Sequence, residues 1–317
     1  MRGLVSTETP DTGRGEHGLE KTRLLVIEDR RGQRTSLPRF LSRTEYEYLF
    51  ALQGNESFLG LSHNGTSPAP WFGGETNAQK ILLAKEAMRD LNLWYEHVFR
   101  DCGDLDEDDY AEKQIFFNSN LIHFIAATDD NEDTVGHSQF VASYTLLLSR
   151  ELGIEDKKFL ADIERGALLH DIGKIGIPES ILRKKGPLTL FEREIVKDHP
   201  LLGFKLIEEF GFLQRAAQVV LYHHEHYNGL GYPYGLAGEQ IPLEARLFSL
   251  ADTVDAITSD RPYRQGRSFE EARREIERHS GSQFDPALVE VFLSIPETRW
   301  VKTKMETLRT LRLPTVH

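Results

Sequence analysis

The chain has 317 residues, enough for two domains and a sizeable core, and carries a formal charge of −12 at pH 7. That charge argues against a partner that is a nucleic-acid polymer, because such a surface needs clustered basic residues. A lone cysteine, Cys102, excludes a disulfide framework and fits a reducing compartment. No apolar run approaches the ~20 residues of a membrane span and no signal-peptide core is present, so we expect a soluble cytoplasmic protein without membrane insertion.

The first third of the chain predicts a disordered N-terminus followed by a small domain. Residues 1–18 are rich in Gly, Thr, Glu and Arg, and we expect them to be disordered. Residues 19–105 are assigned to a small α/β or α+β domain with a linking helix, in which TRLLVIED predicts a strand and PRFLSRTEYEYLFAL a helix. The acidic end of that strand invites comparison with a receiver domain, but no later acceptor Asp with a downstream Lys appears before residue 74. We therefore expect an ordinary strand, in a domain with a sensory or dimerising role.

A change of character at residue 75 marks the start of a long helical region. Residues 62–74 (SHNGTSPAPWFGG) are dense in turn formers and predict a loop or boundary. The next stretch has apolar residues at helical spacing, namely Ile81, Leu82, Ala84, Met88, Leu91 and Trp94. A second amphipathic run covers residues 110–127. We assign residues 106–317 to one helical domain, with further helices at residues 269–278 and 286–293 and no prediction for residues 302–317.

The most informative feature is the adjacent pair His170-Asp171 within GALLHDIGKIGIP. An imidazole and a carboxylate are costly to bury in an apolar helix unless each has a partner. A metal ion would satisfy both groups at once. A histidine hydrogen-bonded to its neighbouring aspartate within the core is the alternative, and for a single pair it is the commoner outcome.

Other apolar, helix-like stretches also carry side chains of the type that bind metals. These are His137 in TVGHSQFVASY, His199 in KDHPLLGF, the pair His223-His224 in VVLYHHEHYNG, and Asp252 in LFSLADTVDAI. Successive positions lie about 24 to 33 residues apart, roughly one helix plus one connection. Neighbouring antiparallel helices can direct such side chains into one bundle core, where metal sites are built.

These residues resemble the H…HD…D signature of the HD metal-dependent phosphohydrolases. The motifs HDIGKIGIP, NGLGYPYGLAGEQIP and ADTVDAITSDRPYR, together with the remaining histidines, resemble the HD-GYP subfamily over residues 131–294. The resemblance implies an HD-type helical bundle that hydrolyses the bacterial second messenger cyclic di-GMP. It also implies two or three transition-metal ions, with Fe or Mn expected, since a mixed imidazole and carboxylate set without thiolate suits Fe, Mn or Zn.

The resemblance implies a role for each of these positions. Asp171 would bridge two ions, and the remaining ligands are His137, His170 and Asp252 on one side and His199, His223 and His224 on the other. Asp133 lies four residues before His137, where relatives with three ions carry a Glu; it either binds a third ion or caps the helix.

Substrate contacts follow from the same resemblance. Lys174 would stabilise charge on the attacked phosphate, and Arg261 and Arg264 could grip a phosphate through paired N–H donors. The glycine-rich loop at residues 227–242 brings Tyr232 to the substrate. His226 falls outside the matched ligand set and is expected at the pocket rim.

The sequence leaves three hypotheses about the function open. In the first, an activated water opens cyclic di-GMP to linear pGpG, with a second round to GMP if the pocket admits the linear product. In the second, the chain is an HD phosphohydrolase of another nucleotide, a hybrid cyclic dinucleotide included. In the third, it is a non-catalytic or weakly active cyclic di-GMP receptor that signals to a protein partner. A homodimer is compatible with all three.

Overall fold

The computed structural model describes residues 24–28, 34–38, 48–49, 59–60, 77–99, 113–114, 117–118, 121–122, 124–125, 132–260 and 265–312. The disorder predicted for residues 1–18 lies outside the described residues. So do the two arginines of the predicted phosphate grip, Arg261 and Arg264. The division into domains at residues 19–105 and 106–317 stays a prediction.

Short antiparallel strands form the described part of the N-terminal region. Strand β1 (Leu24–Glu28) pairs with β2 (Arg34–Pro38), and β3 (Tyr48–Leu49) pairs with β4 (Leu59–Gly60). The strand predicted from TRLLVIED is confirmed. The helix predicted from PRFLSRTEYEYLFAL is wrong at β3, where pairing with β4 and the strand preference of an aromatic residue outweigh the helical spacing.

Helices make up most of the described chain, so the mainly α fold class is confirmed. In order they are α1 (Asn77–Phe99), α2 (Glu132–Glu151), α3 (Lys157–Leu169), α4 (Glu179–Leu182), α5 (Leu190–Val196), α6 (His199–Ile207), α7 (Gln214–Tyr222), α8 (Leu243–Thr258), α9 (Phe269–Arg278), α10 (Pro286–Ser294) and α11 (Glu297–Arg312). The two helices predicted at residues 269–278 and 286–293 are confirmed as α9 and α10. Among the described residues, none of these helices combines the length and the apolar character needed to cross a bilayer.

Helix starts follow local capping chemistry. The Asp156 side chain accepts a hydrogen bond from the Phe159 N–H at 2.7 Å and caps α3. Helices α5 and α9 begin with capping boxes, in which Thr189 and Ser268 each pair with a glutamate three residues later. These caps fix where the helices begin and therefore which side chains face the core.

The bundle core is formed mainly by α2, α3, α7 and α8, which pack against one another. Helices α3 and α7 approach closely at Gly166, where an added Cβ would lie 2.7 Å from Val219. The 3₁₀ turn at Ile172–Gly176 packs even more closely on α6. A Cβ added to Gly173 would overlap the His199 carbonyl oxygen. This contact places the turn that follows His170-Asp171 against the start of α6.

Helices α1 and α11, the first and the last of the helices named above, extend the bundle. Helix α1 buries Ala84 and Met88 completely in the core, and Asn77 donates a hydrogen bond to the Gly176 carbonyl at 3.1 Å. Leu82, which the periodicity placed on the apolar face, is 55% exposed, because it lies about 100° around the helix from Ile81. Helix α11 includes residues 302–312, which had been left without a prediction, and its buried Trp300 anchors it on the core.

Candidate metal centre

The predicted ligands lie on five different elements that meet in the bundle core. His137 is on α2, His170 directly follows α3, His199 begins α6, His223 directly follows α7 and Asp252 is on α8. Three of the histidine side chains, those of His170, His199 and His223, are buried. The structure therefore brings together residues that are more than a hundred positions apart in the sequence.

Three of these rings share one hydrogen-bond pattern. The Nδ1 atoms of His170, His199 and His223 lie 2.8, 2.7 and 2.9 Å from the main-chain carbonyl three residues earlier. A carbonyl oxygen only accepts, so Nδ1 carries the proton in each ring. In a neutral imidazole the Nε2 atom is then unprotonated and its lone pair can coordinate a metal. This is the arrangement found in metal-ligating histidines.

His199, His223 and His224 form the tightest group. Their candidate ligand atoms all lie within 4.8 Å of one another, and the Nε2 atoms of the first two are 3.1 Å apart. Burial lowers the pKa of all three rings, that of His224 to about 3 and that of His223 well below its ordinary value. The rings are therefore neutral at pH 7, as metal binding requires.

Asp171 connects this group to His170. One carboxylate oxygen, Oδ1, lies 3.3 Å from His199 Nε2, and the other, Oδ2, lies 3.1 Å from His170 Nε2. Lys174 donates to Oδ2 at 2.6 Å. Burial opposes ionisation of Asp171, but Lys174 and the two histidines outweigh it and hold its pKa well below the usual range. Asp171 is thus a carboxylate whose two oxygens face different histidines.

His137 lies between two carboxylates. Its Nε2 atom is 3.2 Å from Asp252 Oδ1, and its Nδ1 atom is 2.6 Å from Asp255 Oδ2. Burial opposes a charged ring, but the hydrogen bonds to the two carboxylates outweigh it and raise the pKa of His137 to about 9. The sequence prediction missed Asp255, although its place three residues after Asp252 on one helix was a usable signal.

The donor set fits a transition-metal centre. Imidazole and carboxylate groups, without a thiolate in the described cluster, are the ligands that Fe, Mn and Zn accept. The convergence of two Nε2 lone pairs at 3.1 Å supports the same conclusion, since a cation between them would remove their repulsion. The residues fit the ions that the sequence predicts, while the identity and number of the ions stay predictions.

The glycine-rich loop lies directly on the histidine group. The Tyr232 ring stacks on His224 with centroids 4.6 Å apart, and the Tyr232 N–H donates to the His224 carbonyl at 3.1 Å. Buried Glu225 holds the rest of the loop by accepting from the Tyr234 and Leu236 N–H groups at 2.8 and 3.0 Å. A Cβ on Gly231 would lie 2.3 Å from the His226 nitrogen, so glycine is needed for this approach.

The remaining predicted residues fall into two groups. Arg261 and Arg264 lie outside the described residues, and Asp133 lies in the first turn of α2. His226 is half-buried, follows the histidine pair and contributes its main chain to the seat of the glycine-rich loop. A residue that the sequence prediction missed is Lys197, whose ammonium lies 5.8 Å from the Tyr232 ring centroid.

Comparison with known proteins agrees with this geometry. The sequence profile of the HD domain family matches residues 123–288. The chain is 41% identical over 186 residues to a cyclic di-GMP phosphodiesterase of Thermotoga maritima, covering 58% of this chain and 50% of that protein. It is 42% identical over 149 residues to the cyclic di-GMP phosphodiesterase response regulator RpfG of Xanthomonas campestris pv. campestris, covering 46% of this chain and 39% of that protein.

A third relative is named for a different substrate. The 3′3′-cGAMP-specific phosphodiesterase 3 of Vibrio cholerae is 37% identical over 153 residues, which cover 48% of this chain and 33% of that protein. The chain spans half or less of the length of these three relatives. The matched region contains all the described histidines of the centre as well as Asp171 and Asp252. Because the profile covers more than half of the sequence, the chain belongs to the HD domain family.

Proposed function

We propose that this protein is a metal-dependent phosphodiesterase that opens cyclic di-GMP to linear pGpG. The observation that carries the proposal is Asp171, whose two oxygens face two different histidines, His170 at 3.1 Å and His199 at 3.3 Å. A carboxylate in this position can bridge a pair of ions about 3.5–4 Å apart, the spacing used for in-line displacement at phosphorus. The names of the relatives supply the substrate class.

The two groups of ligands divide between two ions in this proposal. His137, His170 and Asp252 would hold one ion, His199, His223 and His224 would hold the other, and Asp171 would contribute to both. The chemistry supplied by bound Fe or Mn ions is activation of water and neutralisation of charge on the phosphate. Asp133 in the first turn of α2 is the proposed ligand of a third ion.

The chain's own residues complete the chemistry. The Lys174 ammonium lies 2.6 Å from Asp171, on a side chain that is 36% exposed. It can turn from the carboxylate towards the equatorial oxygens of a phosphate as negative charge develops there. The Tyr232 ring covers His224 and offers a stacking face and a hydroxyl beside the scissile bond. Burial together with Asp171 and Asp252 raises the pKa of that hydroxyl, so it acts as a hydrogen-bond donor and not as a phenolate.

Phosphate recognition is assigned to Arg261 and Arg264, which follow α8 in SDRPYRQ. Planar guanidinium groups donate two parallel hydrogen bonds to a phosphate, and this is the physical basis of the assignment. A cyclic GMP-AMP substrate is the second candidate, because one relative is named for that specificity. The phosphodiester chemistry is the same for both substrates, so base recognition alone separates them.

The test is an assay of anaerobically purified protein for bound metal and for product. Cyclic di-GMP and 3′3′-cGAMP are each incubated with Mn(II) or Fe(II), and the linear dinucleotides and GMP are quantified. We expect pGpG from cyclic di-GMP, and loss of both metal and product in His199→Ala. A matched control is His279→Ala, because that side chain is 41% exposed, lies 3.3 Å from Glu275 and is not one of the proposed ligands. Tight substrate binding without turnover in either metal would contradict the proposal and favour a receptor.

A further inference from the structure

A row of hydrogen bonds joins His137 to the C-terminal helix. Asp255 Oδ2 lies 2.6 Å from His137 Nδ1, and Ser259 Oγ donates to Asp255 Oδ1 at 2.6 Å. Lys304 Nζ of α11 donates to Ser259 Oγ at 3.1 Å. Asp255 is fully buried, so both of its oxygens obtain partners from within the protein. The row therefore runs from a proposed metal ligand to the last helix of the bundle.

The direction of each hydrogen bond is set by the chemistry of the groups. An ammonium only donates, so Ser259 must accept from Lys304 and its single proton is free for Asp255. A carboxylate only accepts, so the bond to His137 carries its proton on Nδ1. The Nε2 atom of the ring is then left to face Asp252, 3.2 Å away, on the side of the centre.

Helix geometry explains why these groups meet. Asp252 and Asp255 lie three residues apart, on one face of the final turns of α8. Ser259 comes four residues after Asp255, directly after the end of the helix, and continues the same face. The Ser259 N–H also donates to the Asp255 main-chain carbonyl at 2.9 Å, and this hydrogen bond holds Ser259 against the last turn of α8. Lys304 lies against α2 as well, with its ammonium 5.4 Å from the ring centroid of Phe140, one turn after His137.

We propose that Asp255, Ser259 and Lys304, here called the relay, are positioning residues that hold the His137 ring in the orientation needed for metal binding. Helix α11 lies beyond residues 123–288, so the relay adds to the centre a part of the chain that the family profile does not cover. The proposal rests on the proposed metal-dependent function. A carboxylate behind a metal-binding histidine fixes its tautomer and raises its basicity, and loss of such a partner typically costs about 10–100-fold in metal affinity.

The experiment is a titration of chelator-treated full-length protein with Mn(II) alone. We expect Asp255→Asn to raise the Kd by about 10–100-fold. Ser259→Ala and Lys304→Met remove one hydrogen bond each and should raise it by about three- to tenfold. Lys304→Arg retains a donor and should restore most of the affinity.

Matched controls come from the same two helices. Thr258→Val removes a hydroxyl that bonds the Val254 carbonyl at 2.8 Å, and Lys302→Met removes a surface lysine whose side chain is 76% exposed. Both should leave the Kd within about twofold of the parent protein, a difference smaller than the loss of one hydrogen bond. Equal Kd values in relay and control variants would overturn the relay while leaving the proposed function intact.

A second measurement separates failure of the relay from failure of the proposed function. In nitrogen-15 NMR spectra of the metal-free protein, the His137 Nδ1–H should give a downfield resonance that moves upfield in Asp255→Asn. Weakened Mn(II) binding in the relay variants of a protein without phosphodiesterase activity would support the relay and sink the proposed function. If the parent protein bound no Mn(II), both the relay and the proposed function would be overturned, and the resonance would report only the hydrogen bond between His137 and Asp255.

Discussion

The Nε2 atoms of His199 and His223 lie 3.1 Å apart, although each ring already donates its Nδ1–H to a main-chain carbonyl. Two unprotonated nitrogens at this distance repel each other. Burial makes protonation of either ring costly and lowers both pKa values. A cation shared by the two lone pairs is the arrangement that relieves the repulsion, and a first prediction follows from it.

Metal should stabilise the folded protein strongly. At a free Mn(II) concentration of 100 times the Kd, binding to the native state alone contributes about 2.7 kcal/mol. For a helical domain of this size that free energy corresponds to a rise in Tm of roughly 5–10 °C. Differential scanning calorimetry of chelator-treated protein, with and without Mn(II), measures the shift. His223→Ala should lose most of it, and a shift that persists in that variant would place the ion elsewhere.

The raised pKa of His137 predicts that metal affinity increases with pH. At pH 7 the ring carries a proton, because its pKa is about 9, and an incoming ion must displace that proton. Between pH 7 and pH 9 the apparent Kd should therefore fall by roughly tenfold per pH unit and then level off. Mn(II) titrations at several pH values measure this slope.

The same pKa has the opposite consequence for the metal-free protein. A folded-state pKa above the ordinary value of 6.5 stabilises the native state fully below pH 6.5. That contribution should decline as the pH rises from about 6.5 to 9 and vanish above it. Urea unfolding of chelated protein over this range reports the decline, and His137→Gln should flatten it. A stability of the parent protein that does not change over this window would contradict the pKa.

Lys174 should contribute to turnover and not to metal retention. Its ammonium bonds Asp171 at 2.6 Å, on a turn tightly packed against α6, and in our proposal it neutralises charge that develops on the phosphate. Lys174→Met should lower kcat by about 10²–10³, as the loss of one preorganised donor does elsewhere. Metal content should stay within about twofold of the parent. The typical tenfold or greater loss of metal affinity follows removal of a hydrogen-bond partner of a ligand histidine, and Lys174 bonds to Asp171 instead.

The matched control for Lys174 is Lys184→Met, because the Lys184 ammonium also pairs with a carboxylate at 2.6 Å, but with that of Glu192, which is not a proposed ligand. Separate measurement of kcat, KM and bound metal distinguishes the roles. If Lys174→Met lost its metal in proportion to its activity, the residue would be a support of Asp171 and not a group that acts on the substrate.

The sequence was most informative where chemistry and spacing coincide. Side chains that bind metals and recur one helix apart predicted both the bundle and its inward-facing ligands, and the structure brings His170, His199 and His223 together. The helices predicted at residues 269–278 and 286–293 are likewise present, as α9 and α10. These features are local in sequence or repeat at a fixed interval, so they can be read without knowing how the chain folds.

Tertiary relationships were harder to predict. Helix α11 is rich in charged residues and is held by a few buried contacts such as Trp300, so its apolar signal is weak. The bond from Lys304 to Ser259 joins residues 45 positions apart and has no sequence signature. The strand at Tyr48–Leu49 depends on pairing with Leu59–Gly60, a partner that helical periodicity ignores.

The approach of the glycine-rich loop to the histidine pair yields the last prediction. A Cβ on Gly231 would lie 2.5 Å from the His224 carbonyl oxygen and 2.3 Å from the His226 nitrogen, and both are main-chain atoms that cannot rotate away. Gly231→Ala must therefore lift the loop and with it the Tyr232 ring, which stacks on His224. We expect a loss of about 1–3 kcal/mol in the free energy of unfolding, the usual cost of overpacking.

The displaced ring should also change substrate binding more than metal binding. A base–aromatic contact is worth about 1–3 kcal/mol, so loss of the Tyr232 face should raise KM by roughly 5- to 150-fold. Gly186→Ala is the matched control, because a Cβ there has no neighbour within 4 Å among the described atoms. Calorimetry, steady-state kinetics and metal analysis of the two variants make the comparison. A Gly231→Ala protein with unchanged KM would show that Tyr232 does not contact the substrate, since the loop could not keep its present seat on the His224 main chain.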